Sequence, residues 1–129
     1  MSLETIPVIV LPPNSKIITT SNSFVSTNHA ILYEGHVPVF CDLEKMTGNI
    51  SADSIEQALQ EDNEIKAIMV VHLYGQSCDM NPIIELARKY NLAIIEDCAQ
   101  AHGSKIENQH VGTFGDIGTF SFFPGKNLG

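Results

Sequence analysis

The sequence alternates short, almost wholly apolar runs with amphipathic segments of helical period, and this alternation is its strongest constraint on the fold. The apolar runs predict strands at 16–20, 38–43, 67–73 and 92–95. The amphipathic segments predict helices at 27–34, ended by Gly35, at 51–60, capped by Ser51, and from residues 81–82 onwards. Strands that are apolar along their length indicate a sheet covered on both faces, and intervening helices indicate parallel pairing. The sequence therefore predicts an α/β fold, a three-layer sandwich with a mostly parallel sheet.

The pattern changes after Asp97. From residue 99 the sequence lacks a helical period and predicts a long loop, before 117–123 predict a further strand and 124–126 a turn. No internal repeat or linker interrupts residues 1–129, so they predict a single domain.

Composition and charge exclude several classes of function. The formal net charge is −8 with only seven Lys and Arg residues, so the chain lacks a basic surface for nucleic acid. No apolar run approaches the ~20 residues of a membrane-spanning helix. Cys41, Cys78 and Cys98 have no C-x-x-C spacing and predict buried free thiols in a reducing compartment. We therefore expect a cytoplasmic protein with neither a nucleic-acid nor a membrane partner.

Three polar residues lie at or just beyond the ends of predicted strands: His72, Asp97 and Lys126. Ligands of open α/β sheets bind at the carboxyl ends of the strands, where these residues would meet. Taken singly, an aspartate at a strand end is more often a structural cap, and a lysine in a turn is usually solvated. Their combination predicts a site.

Two nucleotide-binding motifs are not met. A P-loop requires G-x-x-x-x-G-K-[ST], but six residues separate Gly118 from Gly125, and Asn127 stands where Ser or Thr is needed. The glycines after residue 110 also miss the G-x-G-x-x-G fingerprint. The histidines and cysteines have no metal-ligand spacing, so we expect no metal site.

A family resemblance is carried by two motifs, EDCAQAHGS at 96–104 and VGTFGDIGTFSFFPGKNLG at 111–129. Together with 23–50 and 66–80, they resemble the DegT–StrS sugar aminotransferases over roughly residues 14–129. These are fold-type I enzymes that use pyridoxal 5'-phosphate on keto sugars attached to nucleotides. The resemblance implies that residues 1–129 are part of the large, cofactor-binding domain, without the C-terminal small domain. It also implies a homodimer for the full-length members.

The resemblance implies roles for five residues. Lys126 matches the lysine that binds the cofactor as a Schiff base and later moves a proton, and Asp97 matches the carboxylate that pairs with the pyridinium nitrogen. Gln100 matches a position near the phenolic oxygen, and Ser121 a hydroxyl that binds the phosphate. Phe24 matches an aromatic residue that stacks on the ring, with core packing as its alternative.

Three neighbouring residues receive no catalytic role. His72 and Tyr74 are expected near the site, and Glu96 is expected to be structural.

Lys126 also indicates the type of reaction. Family members that act as dehydratases carry His at this position, whereas lysine implies transamination. An amino-acid donor such as glutamate would give its amine to the cofactor, which would pass it to a nucleotide-linked keto sugar. Relatives of this kind serve polysaccharide biosynthesis.

The sequence departs from the family at residues 1–13. Members carry upstream of Lys16 a Gly-Thr/Ser turn that opens a helix and holds the cofactor phosphate, but MSLETIPVIVLPP contains no such turn. We therefore expect the chain by itself to be inactive. A non-catalytic truncated remnant or interaction module stays as the alternative reading.

Overall fold

The computed structural model of the chain describes residues 10–129, which form seven strands, three α-helices and one short 3₁₀ helix. The strands are β1 Lys16–Thr19, β2 Val37–Phe40, β3 Ile65–Val71, β4 Ala93–Asp97, β5 Lys105–Ile106, β6 Gln109–His110 and β7 Ile117–Thr119. The helices are α1 Val25–Tyr33, α2 Ala52–Glu61 and α3 Met80–Tyr90, and the 3₁₀ helix is Leu73–Gly75. Of the atypical segment 1–13, residues 1–9 lie outside the described residues.

Five strands form one parallel sheet in the order β2-β1-β3-β4-β7. Ile18 of β1 lies between Val39 of β2 and Ile68 of β3, and Ile68 lies beside Ile94 of β4. A helix separates each pair of consecutive strands from β1 to β4 in the chain, as parallel pairing requires. The predicted α/β class and parallel sheet are confirmed.

Apolar residues on the two faces of the sheet pack against different helices. The larger cluster joins one face to α2 and α3 and includes Ile18, Ile68, Ile94, Ile55 and Ile83. The smaller cluster joins the other face to α1 through Ile17, Ala67 and Ile31. Helices on both faces confirm the three-layer sandwich. Each buried isoleucine contributes about 1.5–3 kcal/mol, so the clusters give the loops at the strand ends a rigid base.

Two predicted helix boundaries, the start of α2 and the end of α1, agree with the structure, and each is explained by the residue at that boundary. Ser51 precedes α2, and its side chain accepts a hydrogen bond from the N–H of Ser54 at 3.4 Å. Gly35 follows α1 at a φ of +74°, a conformation that glycine adopts without steric cost.

Two predicted strands are shorter in the structure. β2 ends at Phe40 rather than at residue 43, because the chain leaves β1 there: the carbonyl of Asp42 accepts from the N–H of Ser51 at 2.9 Å, and Leu43 forms an antiparallel bridge with Ile50. β7 ends at Thr119 rather than at residue 123, because its partner β4 ends at Asp97, directly opposite Thr119.

The predicted loop after residue 99 contains a small hairpin that the sequence analysis missed. Lys105 pairs with His110 and Ile106 with Gln109 in antiparallel register. Each strand has only two residues, too few for a period-2 pattern to be visible.

The three cysteines are buried and free, as predicted. Within residues 10–129, the helices are too short or too polar to cross a bilayer.

Candidate active site

A pocket of about 500 Å³ opens at the carboxyl ends of β3, β4 and β7. The five residues singled out from the sequence all line it: Phe24, Asp97, Gln100, Ser121 and Lys126. Its volume is within the ~300–1,000 Å³ typical of small-molecule sites. The parallel sheet causes this convergence, because its strands all end at the same edge.

Each lining residue is held by a different element. Asp97 is the last residue of β4, and Gln100 lies in the turn that follows it. Phe24 is the residue that precedes α1. Ser121 lies two residues beyond β7, and Lys126 lies in the next turn, where its N–H donates to the carbonyl of Phe123 at 2.8 Å.

Phe24 belongs to the pocket wall and not to the core. Its side chain is 70% exposed although it begins a helix packed on the sheet. Among the described residues, Phe24 therefore lines the pocket and does not pack in the hydrophobic core, which was the alternative reading.

The carboxylate of Asp97 is held by two donors. Its Oδ1 accepts from the N–H of Ala99 at 3.0 Å, and its Oδ2 accepts from Thr27 Oγ1 at 2.8 Å. A carboxylate oxygen can accept two hydrogen bonds, so each oxygen keeps a free acceptor position. Asp97 can therefore bind a further N–H donor in the pocket.

The side chain of Gln100 is fixed through its oxygen. Gln100 Oε1 accepts from the N–H of Tyr74 at 2.9 Å, and within residues 10–129 the structure records no hydrogen bond from its Nε2. Tyr74, which donates this bond, has a φ of +56°, uncommon for a bulky residue. The amide NH₂ of Gln100 is thus available as a donor.

Hydroxyl and amine groups lie on the β7 side of the pocket. Ser121 Oγ accepts from the N–H of Phe123 at 3.4 Å and keeps its own hydrogen free to donate. Lys126 is half-buried and forms no ion pair with another described residue. The β7 side of the pocket therefore offers a hydroxyl and an amine to a bound molecule.

Glu96 is completely buried and accepts four hydrogen bonds. Its Oε2 accepts from His72 Nε2 at 3.0 Å and from the N–H of Gly112 at 2.6 Å. Its Oε1 accepts from the N–H groups of Phe114 at 2.7 Å and Gly115 at 2.6 Å. Burial acts to raise the pKa of Glu96, but the bonds from the His72 ring and the three N–H groups outweigh burial and hold the pKa below its ordinary value. Glu96 therefore anchors the loop between the hairpin and β7.

His72 joins this anchor to β3. The N–H of Cys78 donates to His72 Nδ1 at 3.0 Å, so Nδ1 is unprotonated and Nε2 carries the hydrogen donated to Glu96. His72 is fully buried and is not among the residues that line the pocket. Of the two residues expected near the site, His72 stabilises the loops beneath it, whereas Tyr74 contacts Gln100.

Acid should weaken the protein through Glu96. Because its folded-state pKa is lowered, the unfolded chain takes up the proton first as the pH falls through about 4.5, the ordinary value. The stabilisation by the ionised group is complete above that value and is lost at lower pH, at no more than about 1.4 kcal/mol per pH unit. Urea unfolding of the wild type and of Glu96→Gln between pH 6 and 3 checks this. The variant should show the shallower dependence, and parallel curves would contradict it.

Cys98 completes a buried group with His72 and Glu96, whose ligand atoms lie within 4.8 Å of one another. The pKa of Cys98 is raised to about 12, first by burial and then by the charges of Glu96 and Asp97. At neutral pH the thiol is therefore protonated and is neither a nucleophile nor a good metal ligand. Each carboxylate oxygen of Glu96 already accepts two hydrogen bonds, so neither keeps a free acceptor position for a further ligand.

Comparison with known proteins identifies relatives along almost the whole chain. The model of the DegT/DnrJ/EryC1/StrS aminotransferase family matches residues 2–129. GDP-perosamine synthase from Escherichia coli O157:H7 is 48% identical over 113 residues, a match that covers 88% of this chain and 30% of that protein. The chain thus spans about 30% of the length of the curated relatives it matches.

Solved structures of aminotransferases contain the same fold. An aminotransferase from Psychrobacter cryohalolentis superposes with a TM-score of 0.85 at 41% identity, covering 88% of this chain and 28% of that one. NtdA from Bacillus subtilis with bound cofactor PMP superposes with a TM-score of 0.83 at 39% identity, covering 92% of this chain and 26% of that one. The sheet and the loops around the pocket therefore have counterparts in aminotransferase structures.

Proposed function

The chain belongs to the DegT/DnrJ/EryC1/StrS aminotransferase family, and from this membership we propose that it forms the cofactor-binding part of a pyridoxal-phosphate-dependent sugar aminotransferase. The observation that carries the proposal is the convergence of Asp97, from β4, and Lys126, from the turn after β7, on one pocket. A carboxylate and an amine in the lining of one small-molecule pocket are the two groups that such a cofactor requires.

The donor set around the pocket fits pyridoxal phosphate. When bound, this cofactor supplies an electron-withdrawing ring that makes proton removal from the attached carbon easier. Asp97 keeps free acceptor positions for a ring N–H, and the NH₂ of Gln100 can donate to a ring oxygen. The exposed ring of Phe24 offers an apolar surface for one face of an aromatic ring. Ser121 contributes one hydroxyl towards the phosphate.

Lys126 is the proposed catalytic residue. Its ε-amine would bind the cofactor covalently and then carry a proton to and from the substrate carbon. The described residues place no carboxylate on Lys126 as an ion-pair partner, so no such contact competes for the amine.

The proposed substrates are a glutamate-like amino donor and a nucleotide-linked keto sugar. Support comes from relatives such as the GDP-perosamine synthase, whose name states a nucleotide-linked amino sugar. We include a homodimer as the working state and a cytoplasmic location in the proposal. Exposed apolar side chains, including Tyr33 and Phe122, are compatible with burial against further protein. The alternative of a non-catalytic remnant or interaction module is less well supported, because the five residues to which the resemblance assigns a role all line the pocket.

Covalent capture of the cofactor tests the proposal. The purified chain is mixed with pyridoxal phosphate, reduced with borohydride and mapped by peptide mass spectrometry. We expect a stoichiometric adduct on Lys126, which Lys126→Ala abolishes because, among residues 10–129, no other amine lines the pocket. Lys105→Ala, which removes an exposed lysine of β5, is the matched control and should label like the wild type. Adducts spread over surface lysines and unchanged in Lys126→Ala would contradict the proposal.

A further inference from the structure

Thr27 joins helix α1 to the carboxylate at the end of β4. Its hydroxyl donates to Asp97 Oδ2 at 2.8 Å, a contact between residues 70 positions apart in the chain. The side chain is 4% exposed, although Phe24 and Val25 beside it in the helix start are exposed. The hydroxyl is thus buried where its acceptor is the carboxylate that the proposed function assigns to the cofactor.

We infer that Thr27 is a positioning residue that holds Asp97 in the orientation needed to bind the cofactor, an inference that rests on the proposed function. A carboxylate on a strand end can rotate about its last side-chain bond. The N–H of Ala99 fixes one oxygen and the hydroxyl of Thr27 fixes the other, so the two bonds together define the carboxylate plane. The free acceptor positions then have a set direction in the pocket.

Thr27 also links two walls of the pocket. Its own N–H donates to the carbonyl of Phe24 at 3.1 Å, so both residues belong to the turn that opens α1. Phe24 and the carboxylate held by Thr27 both line the pocket. One turn of α1 therefore supplies the exposed ring and the hydroxyl that orients the proposed acceptor.

The chemistry required at position 27 is a hydroxyl donor on a small side chain. Serine keeps the donor and loses one methyl group. Valine keeps the shape and loses the donor, and alanine loses both the donor and the methyl group. Hydrogen bonds to charged groups contribute more than those between neutral groups, so loss of the donor should outweigh loss of the methyl group.

The test compares dissociation constants for pyridoxal phosphate, measured by fluorescence titration of the full chain. We expect Thr27→Val to weaken binding roughly 10-fold to 100-fold, and Thr27→Ser to stay within about threefold of the wild type. Thr19→Val is the matched control, because Thr19 is equally buried and its hydroxyl has no hydrogen-bond partner among the described residues. It should bind like the wild type. Thermal melting without cofactor shows whether each variant is folded.

If Thr27→Val does not fold, the comparison of Thr27→Ser with Thr27→Ala decides in the same way, since that pair differs by one oxygen. Equal affinities for the wild type and Thr27→Val, or equal losses in Thr27→Ser and Thr27→Ala, would overturn the positioning role and leave the proposed function intact. A wild-type chain that binds no pyridoxal phosphate would overturn the proposed function, and this inference with it.

Discussion

Replacing Glu96 by glutamine is expected to lower the free energy of unfolding by about 3–5 kcal/mol. All four partners of the carboxylate are donors, one from the His72 ring and three from the backbone of the loop before β7. An amide offers one oxygen and one NH₂, so the NH₂ must face two of these donors in the buried site. Each buried donor left without an acceptor costs about 1–3 kcal/mol. Because domains are stable by only about 5–15 kcal/mol, this change alone should remove a large part of the stability.

The measurement is urea unfolding at neutral pH, followed by circular dichroism. Glu56→Gln is the matched control, because Glu56 makes one exposed ion pair with Lys89 at 3.0 Å. Such pairs contribute about 0–1 kcal/mol, so the control should unfold close to the wild type. A loss in Glu96→Gln no larger than in Glu56→Gln would mean that the carboxylate does not anchor the loop.

Adding one methyl group at Gly118 is expected to cost about 3 kcal/mol of stability. Gly118 lies opposite Glu96 in the pairing of β7 with β4, and its Cα faces the backbone of Gly112. A Cβ built there would lie 2.6 Å from the Cα of Gly112 and even closer to its carbonyl oxygen. A side chain could rotate out of the way, but this backbone is fixed by the bond from Gly112 to Glu96. In Gly118→Ala, β7 or the loop must therefore move.

Gly125→Ala provides the same chemical change in open space, since the nearest atoms to its added Cβ are those of the Phe123 ring at 3.8 Å. Its melting temperature should stay near that of the wild type, whereas that of Gly118→Ala should fall by roughly 10 °C. Similar melting temperatures for the two variants would show that the close approach of β7 to the loop is not needed. Because β7 leads to Ser121 and Lys126, Gly118→Ala should also weaken cofactor capture.

The elements that carry the sheet could be predicted because their signals are local. Continuous apolar runs mark β1, β3 and β4, and Ser51 marks the start of α2 within four residues of sequence. The errors occurred where the cause is distant. The end of β7 depends on where β4 ends, and the end of β2 depends on the pairing of Leu43 with Ile50, beyond the strand. No pattern within either segment contains that information.

The residues of the site also divide into those with a local sequence signal and those without one. The positions of His72 and Asp97 at strand ends were visible from the sequence, and Lys126 was expected just beyond one, because parallel strands end at one edge. Phe24, Gln100 and Ser121 were reached only through the family resemblance. The bonds that orient the site were missed, since Thr27 and Asp97 meet across most of the chain. A threonine at the start of a helix has no sequence signal for a carboxylate partner in another element.

The order of residues around the pocket has a consequence for how the protein is made. The pocket takes Phe24 from the start of α1 and Lys126 from the turn after β7. The ribosome synthesises the chain from its N-terminus. A nascent chain that has emerged as far as the end of β4 therefore contains Thr27 and Asp97 but does not yet contain Lys126. In the proposed function, covalent attachment of the cofactor can occur only after β7 has joined β4. The cofactor would then mark chains in which β7 has joined β4, and a chain without this pairing would release it.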